Sequence, residues 1–346
     1  MTDMAAAAPK DEATLEQMLS APNGDVEKAL ASLDGDLVML GAGGKVGPTL
    51  ALMAQRALRS AGSSARVLAV SQWSDVDVRA RLEAAGVTTI QADLANPDVY
   101  ADLPDAAALA FLVGHKFGSS GDTSKTWWMN AAVPALAASR YRGVRSVVYS
   151  TGNVYPLRPT SRGGATEQDE VGPVGLYAQS CLAREGMFRR AAATWGTPVT
   201  LFRLNYAAEM RYGVVCDITR KVLAGEPVDV TMPAVNVVWQ GDANRWALAS
   251  LSIADPDVAI LNAAGPETLS VRAIAEEVAR LSGREVTFNG AEAGDALLSD
   301  ARKCHRLFGY PTVSVQQLIE WTLDWAQRGG RMLGKPTKFE QRSGKF

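Results

Sequence analysis

The stretch Leu37-Val-Met-Leu-Gly41-Ala-Gly-Gly44-Lys45-Val46-Gly47 decides how this chain is read. Four apolar residues run into a glycine-rich turn, and a helical segment from Pro48 to Ala61 follows at once. A proline in the first turn of a helix lacks an N–H that would have no partner there anyway. Gly41 permits the tight turn, Gly44 lets the backbone approach a pyrophosphate, and Gly47 lets the helix lie close to the strand. Lys45 and Val46 complete the loop. The free N–H groups and the dipole at such a helix start favour a negative charge. Strand, glycine loop and helix in this order therefore point to a bound dinucleotide.

Outward from that loop the chain alternates. Apolar runs at 66–70, 87–90, 108–113, 145–150 and 200–206 are expected strands, with helices over 125–140 and 177–194 between the later ones. This rhythm predicts an α/β fold, a Rossmann-type doubly wound parallel sheet. Beyond 207 the pattern predicts helices at 214–224, 268–283 and 314–328 and strands at 235–239, 259–265 and 285–288. These form a small C-terminal substrate-binding lobe with some elements returning to the core. The expected division is 1–35 as an N-terminal helical extension, 36–206 as the dinucleotide-binding core, 207–328 mainly as the lobe, and 329–346 as an extended tail. Residues 1–10 are expected to be disordered, and Leu15, Leu19, Val26, Leu30 and Leu33 to mark the helices that follow.

Composition excludes several classes. The 346 residues carry a net charge of -2, so no electrostatic footprint for nucleic acid or an anionic membrane is expected. Hydrophobic residues make up 47%, enough for a sizeable core, yet no apolar run reaches membrane-spanning length. Three cysteines without CxxC spacing and only two histidines argue against a disulfide framework or a metal centre. A cytoplasmic location is expected. The tryptophans at 127, 128, 239, 321 and 325 are read as packing residues rather than as a sugar-binding wall.

Further motifs stand in a fixed order. They are Asp93-Leu94 after the third strand, Phe111-Leu-Val113-Gly114 at the end of the fourth, and Asn130 within WWMNAAVPALAAS. Ser150-Thr151-Gly-Asn153-Val-Tyr155 and Tyr177 come next, then RLNY (203–206), VVWQGDAN (237–244) and NAAGPETLSV (262–271). Together they resemble the extended short-chain dehydrogenase/reductases, the NAD-dependent epimerase/dehydratase group, over roughly residues 36–328. The resemblance implies NAD or NADP as cofactor and a homodimer formed through the helices near 125–140 and 177–194. It also implies Tyr177 as general acid/base and Thr151, beside Ser150, binding the reacting oxygen.

The resemblance breaks at one position. The family carries a lysine one helical turn after the tyrosine, lowering the phenol's pKa and holding the nicotinamide ribose. Here that position is Cys181, in Tyr177-Ala-Gln-Ser-Cys181. Arg184 shares the helix face, and Lys116 follows the fourth strand at the ligand-binding edge of such a sheet. Lys116 is the preferred substitute cation, and Cys181 is expected to fill the lysine's place as a small buried residue.

The second strand ends Ser71-Gln72 without the acid or arginine that separates NAD from NADP, so the preference stays open. Cofactor contacts are expected from Gly41, Gly44, Lys45, Val46, Gly47, Ser71, Gln72, Asp93, Leu94, Val113, Gly114, Tyr177 and Cys181. Substrate contacts are expected from His115, Lys116, Asn153, Asn205 and Arg211. Gly152 and Asn153 stand where 4,6-dehydratases carry an acid pair, which disfavours that reaction. The expected function is an oxidoreductase or epimerase acting on a secondary hydroxyl or carbonyl of a sugar, sugar acid or similar small molecule. The alternative is a dinucleotide-binding regulator or scaffold without turnover.

Overall fold

The computed structural model describes residues 7–116, 118–119 and 121–345. Helices α1 (Glu12–Leu19) and α2 (Gly24–Ala31) precede the sheet, and Asn23 caps α2 by accepting from the Val26 N–H. The first half then runs β1 (Leu37–Leu40), α3 (Gly47–Ser60), β2 (Val67–Ser71), α4 (Val76–Ala84), β3 (Thr88–Gln91) and β4 (Ala108–Phe111). The second half follows with α5 (Thr123–Trp127), α6 (Val133–Arg140), β5 (Arg145–Thr151), α7 (Gly175–Trp195), β6 (Val199–Leu204), α8 (Val214–Ala224), α9 (Gln240–Ala249), β7 (Ala259–Ala263), α10 (Val271–Ser282), α11 (Arg302–Phe308) and α12 (Val315–Gln327).

The seven strands form one sheet in the order β7-β6-β5-β4-β1-β2-β3, with every pairing parallel. Both faces are covered, and the strands show why. Leu37 and Met39 of β1 enter one core, against Leu30 of α2, Leu50 of α3 and Trp246 of α9. Val38 and Leu40 enter the other, against Val133 of α6 and Phe188 of α7. Successive side chains of a strand point to opposite faces, so a continuous apolar run needs helices on both. Removing each such leucine or valine from water is worth about 1.5–3 kcal/mol.

A third core belongs to the C-terminal lobe, where Met210, Trp239, Trp321 and Trp325 cluster with α8, α10 and α12. Leu15 and Leu19 of α1 join this core while Val26 and Leu30 of α2 join the sheet, so the N-terminal helices clip the two together. Trp127 and Trp128 depart from the packing expected of them, each being 42% exposed.

Several boundaries differ from the sequence pattern. The expected helix over 125–140 is interrupted by a π-helical turn at Trp128–Ala132, where the Val133 N–H reaches back to the Trp128 carbonyl. Pro134 follows directly, and a proline ring cannot sit under an unwidened preceding turn. The run at 235–239 is not one strand but two short ladders, Ala234–Val235 and Val238–Trp239. At 285–288 only Phe288–Asn289 pairs. Of the stretch expected to be disordered, residues 1–6 lie outside the described residues, whereas Pro9 is buried and its carbonyl accepts from Arg328. Residues 330–345 form no helix or strand, yet they pack back across the lobe and bury Phe339.

Candidate active site

The C-terminal edge of the sheet gathers the loops that matter. Gly41 adopts φ +85°, and a Cβ there would lie 2.8 Å from the Val113 nitrogen, so both the turn and the neighbouring strand demand glycine. A Cβ on Gly47 would collide with the Ala42 carbonyl, which fixes close contact between α3 and its strand. A Cβ on Gly43 would meet the Ser71 Oγ at 2.5 Å, so the glycine loop and the end of β2 touch. At Gly44 the nearest atom to an added Cβ is the Gly41 carbonyl at 3.5 Å, leaving that stretch of backbone open. This cradle fits a dinucleotide pyrophosphate at a helix start. Asp93 and Leu94 follow β3 on the same edge. The Asp93 carboxylate accepts from the Ala95 N–H, and Leu94 is buried.

Beside the loop lies a cavity of about 210 Å³. Lys45, Val46, Lys116, Ser150, Thr151, Asn153, Tyr177 and Asn205 all line it. β5 ends at Thr151, whose Oγ1 accepts from the Asn153 backbone N–H at 3.2 Å and from its amide at 2.9 Å. Tyr177, in the first turn of α7, lines the same cavity as Thr151 and packs against Cys181. Burial pushes this phenol well above its ordinary value, the Cys181 thiol adds to the rise, and Arg184 opposes it. Cys181 is fully buried, and burial likewise raises its thiol. A neutral, buried thiol thus lies one helical turn after Tyr177.

Two cations flank that neutral position. The Lys116 Nζ is 5.7 Å from the Tyr177 ring centroid and 3.4 Å from the Thr337 carbonyl. Burial, the leading cause, brings Lys116 down to about 8. Arg184 approaches from behind, donating to the Tyr149 carbonyl at 2.8 Å and to the Asn130 Oδ1 at 2.8 Å. Asn130 also accepts from the His115 backbone N–H and donates to the His115 carbonyl and the Ser180 hydroxyl. It therefore locks the loop after β4 to α7. Beneath Ser150 lies a buried pair in which Arg203 donates to both Glu185 oxygens, at 2.8 and 2.7 Å, and to the Tyr155 hydroxyl at 2.7 Å. Ser150 donates its own hydroxyl to Glu185 at 2.6 Å.

The remaining expected residues fall elsewhere. Val113, Gly114, Ser71 and Gln72 stand at the strand ends rather than in the cavity, and Gly114 abuts the Arg184 guanidinium. His115 does not line the cavity. Arg211 lies outside it as well, because Glu209 holds its Nε at 3.0 Å and Glu12 and Glu16 stand at 3.7 and 3.6 Å from its guanidinium. The sequence pattern missed Tyr155, Tyr212, Gln240 and the segment 337–344, all of which contribute to the wall. Among these the Tyr212 ring lies 3.3 Å under the Lys45 ammonium, a cation–π contact that no local motif announces. Among the described residues no cluster of histidine, cysteine or carboxylates could hold a metal, and no helix is long and apolar enough to cross a membrane.

The model of the NAD dependent epimerase/dehydratase family matches residues 37–245, more than half of the chain. The chain belongs to that family. No curated protein matches it. Among solved structures, UDP-glucuronic acid 4-epimerase from Bacillus cereus, in complex with UDP-glucuronic acid and NAD, aligns at TM-score 0.71 and 19% identity, covering 85% of this chain and 99% of that one. UDP-glucose 4-epimerase of Thermus thermophilus, complexed with NAD, gives 0.68 and 20%, covering 84% and 98%. The Thermotoga maritima UDP-glucose 4-epimerase with UDP-glucose gives 0.70 and 16%, covering 85% and 99%. At such identities the likeness is one of fold.

Proposed function

We propose that the chain is an NAD(P)-dependent enzyme that oxidises, reduces or epimerises a secondary alcohol or carbonyl of a small carbohydrate-like substrate. The observation that carries this reading is the meeting of Tyr177, Thr151 and Lys116 in one cavity beside an open glycine cradle. Gly41, Gly44 and Gly47 hold the pyrophosphate end, and the strand ends at Ser71, Asp93 and Val113 border the rest of the cofactor. When bound, the nicotinamide supplies the hydride donor or acceptor.

The chain's own residues manage the oxygen and its proton. Thr151, in the same cavity wall as Tyr177, orients the substrate hydroxyl or carbonyl. Tyr177 gives its proton to a carbonyl oxygen, which becomes a hydroxyl, and is left as a phenolate; in the reverse direction that phenolate takes the proton of a hydroxyl. Its pKa is raised by burial, so the phenol rests protonated at neutral pH and is set to act as an acid. The missing lysine's two tasks are divided. Arg184, fixed by Tyr149 and Asn130, supplies the charge that opposes the rise of the phenol. Lys116, at the cavity wall, holds ligand hydroxyls. A homodimer in the cytoplasm belongs to the same proposal, and the exposed Trp127 and Trp128 on the α5 side support a buried partner face.

The test is turnover by the cofactor-loaded protein across sugars and sugar acids, followed by nicotinamide absorbance and by product analysis. Tyr177→Phe is expected to lower kcat by roughly 10²–10⁴-fold, the usual weight of a positioned acid or base. Firm cofactor binding with no turnover on any member would favour the regulator reading instead.

A further inference from the structure

Residues 337–344 contribute to the cavity wall and are fastened at successive points. The Thr337 N–H and hydroxyl both donate to the Asp217 carboxylate, each at 2.7 Å. Phe339 is buried in the lobe core. Arg342 donates to the Asp295 carbonyl at 2.9 Å and pairs with its carboxylate. Gly344 sits against Gly175, at the start of the helix that carries Tyr177. A Cβ on Gly344 would strike the Val174 carbonyl, and one on Gly175 would come within 2.6 Å of the Gly344 carbonyl. The segment therefore closes onto the first turn of the catalytic helix.

The wall so completed has a one-sided charge. Among its described residues are Lys45, Lys116, Lys338 and Arg342, and no carboxylate. Arg342 is matched by Asp295, while Lys45, Lys116 and Lys338 share the cavity lining. Asp217 faces Lys45 and Lys116, and Glu340 faces Lys116, but neither lines the space. Gathering positive charges in a half-buried pocket is costly, and an anion seated among them offsets that cost. Lys338 also holds a left-handed backbone at φ +54°, a conformation that costs a non-glycine residue energy and tends to persist where function needs it.

Resting on the proposed function, we infer that the C-terminal segment is a strap that completes the substrate pocket, and that Lys338 on it selects a substrate bearing a carboxylate. Lys338 shares the cavity lining with Lys45 and Lys116, and its charge acts on Lys116, so the carboxylate of a sugar acid meets several cations there while its neutral parent offers them no charge. The cofactor pyrophosphate is the other anion these lysines could serve, and the experiment separates the two.

Calorimetric titration of the full chain is carried out first with NADH and NADPH, then, on the loaded protein, with hexuronates, aldonates and their parent hexoses. The wild-type protein is expected to bind at least one acid about tenfold or more tighter than its neutral parent, the weight of one charge-assisted hydrogen bond. Lys338→Asn removes the charge while tolerating the left-handed backbone, and is expected to erase that preference with dinucleotide affinity unchanged. Removal of residues 334–346 is expected to do the same and to weaken the acid further. Equal binding of acid and parent, no acid bound, or an unaltered preference in Lys338→Asn overturns the inference. Loss of dinucleotide affinity in Lys338→Asn assigns the lysine to the cofactor and overturns it too. Failure of the wild-type protein to bind either dinucleotide instead removes the proposed function on which the inference rests.

Discussion

Cys181 and Tyr177 pack against each other in one small buried cluster. A thiol of that size packs under Tyr177 without charge, and burial then drives both groups toward their neutral forms. Two cations stand in the cavity wall nearby, where burial brings Lys45 to about 7 and Lys116 to about 8 from an ordinary 10.5. Lys45 also feels Lys116 and Lys335, with Asp217 opposing; Lys116 faces Cys181, Lys338, Asp217 and Glu340. The sign of the pH effect follows. Between these values and 10.5 the unfolded chain binds more protons than the folded one, so stability from this pair rises with pH. Denaturant melts of the ligand-free protein from pH 7 to 10 are expected to show that gain, and Lys45→Met to reduce it. A midpoint in Lys45→Met with the same pH slope as the wild type would contradict the assignment.

At the level of elements, legibility followed burial pattern. The strands with apolar runs and the glycine loop stood out because β1 is buried on both faces and its loop needs glycine at Gly41 and Gly47. Helix α4 gave no signal because Leu82 is its one buried residue, leaving no apolar stripe. Helix α9 failed for the opposite reason: every residue but Arg245 is buried, so no periodicity distinguishes a face. That Tyr177, Thr151 and Lys116 share one cavity fits their places at the strand ends and at the start of α7. The strap was not legible, because a glycine-rich basic segment acquires its place only from distant partners such as Asp217 and Asp295. A buried ion pair joins β6 to α7. Arg203 and Glu185 are 2% and 0% exposed on their side chains. Arg203→Leu strands the carboxylate and is expected to cost about 3–5 kcal/mol in urea unfolding, whereas pairing it with Glu185→Leu recovers much of the loss. A single substitution costing no more than the double would sink this account.

Across the whole molecule, the sheet supplies a rigid edge and the lobe supplies a wall, and both chain ends bind the two together. Helices α1 and α2 divide their leucines between the lobe and the sheet, and the C-terminal strap spans from Asp217 on α8 to Gly175 on α7. The cavity thus lies between parts that tie to one another through the termini, which makes substrate selection a property of the closed chain rather than of one loop. Everything proposed for Tyr177, Lys116 and the strap depends first on a dinucleotide seated on the glycine loop. The most direct measurement is a calorimetric titration of the cofactor-stripped protein with NAD⁺, NADH, NADP⁺ and NADPH. One redox pair is expected to bind at micromolar concentration or tighter. Absence of binding by all four would show that the open backbone at Gly44 holds no cofactor, and the catalytic account would fall with it.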